Sequence, residues 1–350
     1  MTYQLKQLQA YVLMSKYAGM REDLVQAGGG NSAYKLSDEK MAIKASGYQL
    51  ADVTEQEGYA IVNPKIIKEA FLNCEDFSTI TDEKSKKILD EAFIEGARPS
   101  IETFLHSISG KYSLHTHPIV VNALTCRKNG TDILKKLFPD ALIVSYATPG
   151  VELAKVYFKE YKKYKLIHQE DPKCVFLMNH GFLASADTAD EVIALTEDVT
   201  QKIEEYLQID MQAYHDIIKI NSLYPDGITW LVTDHNVLGA YDNLHGIWQH
   251  YFCPDCVVFL GKRMYQTDEI SKIEFEDFVE KYGYPVVVVY KENLYIHADS
   301  VKKALEIQSV LSFSAQVMKY NKGIECELLT EQEENFLLNW DAEKYRRSMK

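Results

Sequence analysis

The chain has 350 residues, 46% hydrophobic and 25% charged, with a formal net charge of −13, which describes a globular protein with ample core for one or two domains. The acidic balance, without any long lysine or arginine run, argues against a nucleic-acid backbone or an anionic membrane as partner and leaves a small molecule. No stretch reaches the apolar length of a membrane span, and the six scattered cysteines do not suggest a disulfide framework, so the expected compartment is the cytoplasm.

The opening "MTYQLKQLQAYVLMSKYAG" lacks the features of a signal peptide and reads as an amphipathic helix. "QAGGGNSAYKL" and "IKASGYQL" then place glycines beside small polar residues, next to strand-like runs. Successive N–H groups at such turns form anion-binding nests, to which Gly30, Asn31, Ser46 and Gly47 would contribute donors and Lys44 a charge. Three glycines taken alone are more often a flexible turn, and the Gly-Lys-Ser/Thr of a nucleotide-binding loop is missing.

Further strands are expected at "KMAIKAS", "GYAIVN", "KYSLHTH", "ALIVSY" and "KCVFLMN", with helices near 64–73, 84–94, 100–109, 119–129 and 150–166. In "ARPSIETFLH", Ser100 is the expected N-cap, with Glu102 in the first helical turn. His106, four residues on, shares a face with Glu102 and reads as a residue that either supports the site from behind or packs.

In "KYSLHTHP", His115 and His117 point to one face of a strand, and Pro118 ends the ladder there. By spacing they are either metal ligands or two polar neighbours. His180 follows an apolar strand in "VFLMNHGFLAS", where Gly181 permits a tight turn.

A long helical pattern spans Thr188 to Ile220, and the turn-rich "NSLYPDGITW" after it marks an expected boundary between domains 1–220 and 221–350. Beyond it, "CVVFLG" reads as β-rich and "PVVVVYKENLYIHA" as a hairpin turning at "YKEN", followed by helices 298–319 and 330–348. Cys253 and Cys256 form a CxxC, but a redox CxxC normally opens a helix and this one precedes the β-rich run. A structural zinc site would need a second pair, which is missing. No Gly-x-Gly-x-x-Gly follows a strand, so a dinucleotide-binding domain is not expected.

GGGN at 28–31, KASG at 44–47, PSIE at 99–102, HTHP at 115–118 and NHG at 179–181 together resemble, in content and order, the class II aldolase/adducin family, which includes fuculose- and rhamnulose-phosphate aldolases. The resemblance implies a three-layer α/β/α fold with a mainly antiparallel central sheet, plus a smaller C-terminal α/β region of open role. It implies zinc, or another divalent ion, on His115, His117 and His180, with Glu102 as catalytic acid/base. It also implies a phosphate pocket lined by Asn31, Ser46, Gly47 and Ser100.

One departure stands out: fuculose-type relatives carry two serines before the glutamate, whereas this chain has Ser100 then Ile101. The expected activity is zinc-dependent cleavage or formation of a carbon–carbon bond in a sugar or sugar phosphate, in a homo-oligomer, a tetramer by resemblance. Epimerisation, dehydration or decarboxylation on the same scaffold are alternatives. A non-catalytic adducin-like interaction module is the alternative from another class, although such relatives lack the metal histidines. The aldehyde's proton donor is often a tyrosine in the family; among 23 tyrosines, Tyr146 is placed only as a pocket residue.

Overall fold

Short strands of mixed polarity pair here within one large sheet, which buries most of their residues. The structure is a computed structural model describing residues 3–240 and 251–339, with side chains from residue 8 onward. It divides into two compact units, Met1–Met211 and Gln212–Lys350.

The first unit runs α1 (Tyr3–Gly19), β1 (Asn31–Ser37), β2 (Lys40–Lys44), β3 (Tyr59–Val62), α2 (Pro64–Leu72), α3 (Asp82–Ala92), β4 (Phe93–Gly96) and α4 (Thr103–Ser107). It continues β5 (Tyr112–Thr116), α5 (Ile119–Thr125), α6 (Gly130–Leu137), β6 (Leu142–Val144), α7 (Val151–His168), β7 (Cys174–Leu177), β8 (Gly181–Ala186) and α8 (Ala189–Leu207). The strands form one sheet of order β4-β3-β2-β1-β5-β8-β7-β6. Every neighbouring pair is antiparallel except β6 with β7, which α7 connects.

Alternation along these strands separates two helix layers. Val175, Leu177 and Leu183 face a buried cluster built with Ile67 and Phe71 of α2, Ile88 of α3, Phe104 of α4 and Phe158 of α7. His115 pairs with Leu183 and Ser113 with Ser185, so both point toward that layer. The opposite face meets α1 and α8: Ser15 and Ser32 share a hydrogen bond of 2.7 Å, and the Tyr11 ring packs edge-on to Tyr59. The expected α/β/α layering with a mainly antiparallel sheet is thus present.

Local chemistry starts the helices. Asn63 caps α2 with Pro64 at its first position, Thr81 caps α3, and Thr188 with Glu191 forms a capping box on α8.

Several boundaries differ from the sequence reading. Ser100 does not cap a helix: α4 starts at Thr103 with Glu102 as its N-cap. Ser100 instead holds a turn, its Oγ accepting from Glu102 N and its carbonyl from Thr103 N. The helix expected through Ile220 breaks at Gln208, which takes a left-handed conformation and caps α8, and α9 (Gln212–Asn221) begins separately.

In the second unit β9 (Ile228–Leu231), α10 (His235–Leu238), α11 (Pro254–Leu260), β10 (Tyr265–Thr267), α12 (Lys272–Tyr282), β11 (Val287–Tyr290), β12 (Asn293–Ala298), α13 (Val301–Tyr320) and α14 (Glu331–Asn339) follow α9. Their sheet has the order β10-β11-β12-β9. The "YKEN" hairpin is present, with Lys291 at φ 54° in its tight turn. "CVVFLG" is not β: it lies in α11, which Cys253 caps and Pro254 opens. The helix expected over 330–348 is seen as α14, and residues 340–348 lie outside the described residues.

Candidate metal centre

Three backbone features bring the histidines together. His115 is the last but one residue of β5 and faces the helix layer of α2, α4 and α7, and His117 follows two residues on. At that point the chain leaves the ladder: His117 N donates to Leu24 O and Ile119 N to Asp23 O, each at 2.8 Å, while Pro118 has no N–H to place. His180 stands in the hairpin between β7 and β8, where Asn179 takes φ 54° and His180 N donates to Leu177 O.

Glycines make the room. A Cβ on Gly181 would lie 2.3 Å from Thr116 O and 2.9 Å from His117 Cδ2, and one on Gly29 would lie 3.0 Å from His117 Nδ1. We expect Gly181→Ala to cost at least about 1–3 kcal/mol through overpacking and to weaken divalent-ion binding about 10–100-fold by moving the ligands. Urea unfolding and a competitive chelator titration would read the two effects. An unchanged ion affinity would show that the close packing does not set the ligand geometry.

His115, His117, His180 and Glu102 each place one donor atom within 4.8 Å of the others. His115 Nε2 lies 3.1 Å from His117 Nε2 and 3.3 Å from His180 Nε2. Glu102 Oε1 is 3.2 Å from His180 Nε2 and 3.7 Å from His115 Nε2. His115 Nδ1 faces the Phe182 carbonyl at 2.9 Å, and a carbonyl only accepts, so Nδ1 carries the proton and Nε2 presents its lone pair. Lone pairs at this spacing repel unless a proton or cation lies between them. Bonds of about 2.1 Å to a tetrahedral ion give N···N edges of roughly 3.4 Å, so the nitrogens already stand near ligand spacing. Asn31 Oδ1, on the residue that holds Glu102, is buried without a partner among the described residues, a further mark of a site that takes a ligand. The donor set fits a divalent ion.

Burial pushes His115 and His117 down, His117 to about 3, with the neighbouring imidazoles adding to the shift and Glu102 opposing it. Neutral imidazole is the form that ligates. Burial pushes the Glu102 carboxyl up, but His115, His180 and His117 outweigh it and hold it well below the usual carboxylate range. Asn31 Nδ2 donates to Glu102 Oε2, which fixes the carboxylate's orientation. His106 is fully buried, with Nδ1 2.7 Å from Ser113 Oγ, and burial pushes it down to about 3: it packs α4 onto β5 as a neutral ring.

Other sequence candidates fall into two groups. Ser46, Gly47 and Ser100 lie on neighbouring segments: Ser46 N donates to Arg98 O and Ala45 bridges Pro99, which sets the Gly47 turn, at φ 88° and open to space, beside the segment leading to Ser100 and Glu102. Lys44 is buried, and its ammonium donates to Tyr48 O at 2.6 Å and Gly28 O at 3.4 Å, tying the two glycine turns to each other; burial pushes it down, and the charge of Glu102 opposes that shift. Gly30 is buried, and a Cβ there would lie 2.8 Å from His115 O. Tyr146 is 60% exposed, in the segment that leads to Gly150 beside Ile101.

One supporting group carried no signal in the sequence. Arg21, fully buried, makes two hydrogen bonds to the Asp23 carboxylate and an ion pair to Glu197, which also accepts from Tyr17 Oη at 2.6 Å. This holds the turn whose Asp23 and Leu24 carbonyls receive the backbone around His117. Arg21→Met would leave the nearly buried Asp23 without that partner, at a cost of about 3–5 kcal/mol. Urea denaturation should show the midpoint drop. A loss below about 1 kcal/mol would mean that Asp23 recovers solvent or another donor.

The sequence matches the family profile "Class II Aldolase and Adducin N-terminal domain" over residues 12–207. It is 24% identical over 218 residues to the Bacillus subtilis protein named uncharacterized oxidoreductase YuxG, a match covering 58% of this chain but spanning 30% of that relative. Among solved structures, the N-terminal class II aldolase domain of a conserved Thermoplasma acidophilum protein is 23% identical with a TM-score of 0.49, covering 57% of this chain and 93% of its own. The L-fuculose-1-phosphate aldolase of Thermus thermophilus is 17% identical with a TM-score of 0.39, covering 62% and 98%.

Proposed function

Because this chain belongs to the class II aldolase and adducin family, we propose that it is a lyase that cleaves or forms a carbon–carbon bond in a sugar or sugar phosphate, with a divalent ion, zinc for preference, on His115, His117 and His180. The observation that supports this most is the convergence of three imidazole Nε2 atoms on one half-buried carboxylate, with Gly29 and Gly181 packed close against the His117 ring. Cleavage beside a ketone leaves an enediolate, whose charge must be stabilised as the bond breaks. The ion, when bound, supplies the Lewis acidity that spreads that charge.

The chain's own residues do the rest. Glu102, held ionised, takes a proton from the substrate carbon in the synthetic direction and returns it after cleavage. Asn31 keeps the carboxylate aimed by donating to its second oxygen. Ser46, the Gly47 turn and Ser100 offer donors for a phosphate or a terminal hydroxyl, with one hydroxyl fewer than a Ser-Ser sequence would bring at 100–101. A homo-oligomer, a tetramer by family resemblance, is part of the same reading.

The test is a panel of ketose 1-phosphates and unphosphorylated ketoses, assayed for aldehyde release by zinc-loaded protein. Release from one class, abolished by a chelator and restored by zinc, is the expected result. Epimer formation or carbon dioxide release without free aldehyde would overturn the aldolase assignment in favour of those reactions.

A further inference from the structure

Cys253 and Cys256 stand apart from the metal centre and take no part in its chemistry. Cys253 is the N-cap of α11 and Cys256 is three residues on, the two positions whose side chains meet at a helix start. Their sulfurs are 3.4 Å apart, and both thiols are free. A disulfide needs about 2.05 Å, so rotation about the side-chain bonds has little more than an ångström to close. The pair is asymmetric: Cys253 is part-exposed, whereas Cys256 is fully buried between α11 and Ser314 of α13, which hydrogen-bonds it. No side-chain bond engages Cys253 in capping, so its sulfur is not committed to the helix end.

We propose that Cys253 and Cys256 are a reversible dithiol–disulfide couple, a modification site for small disulfides, in which Cys253 is the entering thiol and Cys256 the resolving one. Cys253, as thiolate, attacks one sulfur of the small disulfide, whose other sulfur leaves with the electron pair and takes a proton from solvent. Cys256 then gives its proton to solvent and attacks Cys253 Sγ in the mixed disulfide, expelling the second small thiol. The couple has lost two electrons, and the small disulfide has become two thiols. Burial pushes the Cys256 thiol up to about 12, in keeping with a sulfur that waits protonated while Cys253 reacts first.

The full chain is incubated with oxidised glutathione, quenched with acid and mapped by peptide mass. The expected result is loss of two hydrogens from the peptide carrying both cysteines. Cys256→Ser, with Cys256→Ala as a second form in case serine disturbs the packing, should stop at glutathione on Cys253. Cys253→Ser should react at Cys256 about tenfold or more slowly, as a buried thiol does.

Both cysteines staying reduced while the exposed Cys126 is fully glutathionylated would overturn the proposal. So would zinc bound by the natural chain and lost specifically in Cys253→Ser, which would make the pair metal ligands. Neither readout uses substrate, and histidine-bound zinc is unchanged by these variants, so failure here and failure of the aldolase reading are separate results.

Discussion

Elemental analysis of His117→Ala is expected to find its bound divalent ion gone, where the natural chain holds about one per subunit. An open catalytic site relies on three protein ligands, and two remaining imidazoles are too few to hold the ion against water. The ring of His117 fills space beside Gly29 and Gly181, so truncation also leaves a void, although the backbone anchor from His117 N to Leu24 O is kept. Stability should therefore fall modestly while aldehyde release falls about 10³-fold, the worth of several kcal/mol of charge stabilisation. Circular dichroism would confirm that the variant folds. Retention of the ion at natural stoichiometry would remove His117 from the ligand set, and the proposed chemistry with it.

Glu102→Gln should separate binding from proton transfer. The amide has the carboxylate's shape and can still accept from Asn31, but it cannot take a proton. We expect kcat to drop about 10²–10⁴-fold while the ion stays bound with little loss of affinity. If Glu102 instead serves as a permanent fourth ligand, affinity and rate will fall together, because its Oε1 stands 3.2 Å from His180 Nε2. Burial works against the charge, but the imidazole neighbours outweigh it and hold the carboxyl ionised, so in the ion-free chain its contribution to stability is present above the ordinary glutamate pKa. That contribution is lost as pH falls through the depressed value.

The site was more legible in the sequence than the sheet that carries it. His115 and His117 share a face because a strand has a period of two, and Pro118 marks where the ladder ends. β1, β4 and β8 gave weaker signals. "NSAYKLS" and "GFLASA" are polar or small, and they become strands because β1 lies between β2 and β5, and β8 between β5 and β7. "FIEG" follows α3 without any turn residue. In α11 the Val-Val-Phe run has strand propensity, but Cys253 and Pro254 set a helix start and packing against α13 and α14 decides it. Arg21 was invisible because its partner Glu197 is 176 positions away in the chain.

Separation along the chain also governs when the centre can exist during folding. His115 sits on a strand whose neighbours, β1 and β8, pair Asn31 with His115 and His115 with Leu183. The loops closed by those pairings are long, and their entropy must be overcome before any ligand meets another. Non-local strand pairing of this kind forms more slowly than helices, which close only local contacts. Ion capture by a refolding chain should therefore lag behind helix formation and report the zipping of the central strands, which makes the metal a clock for the last step of assembly.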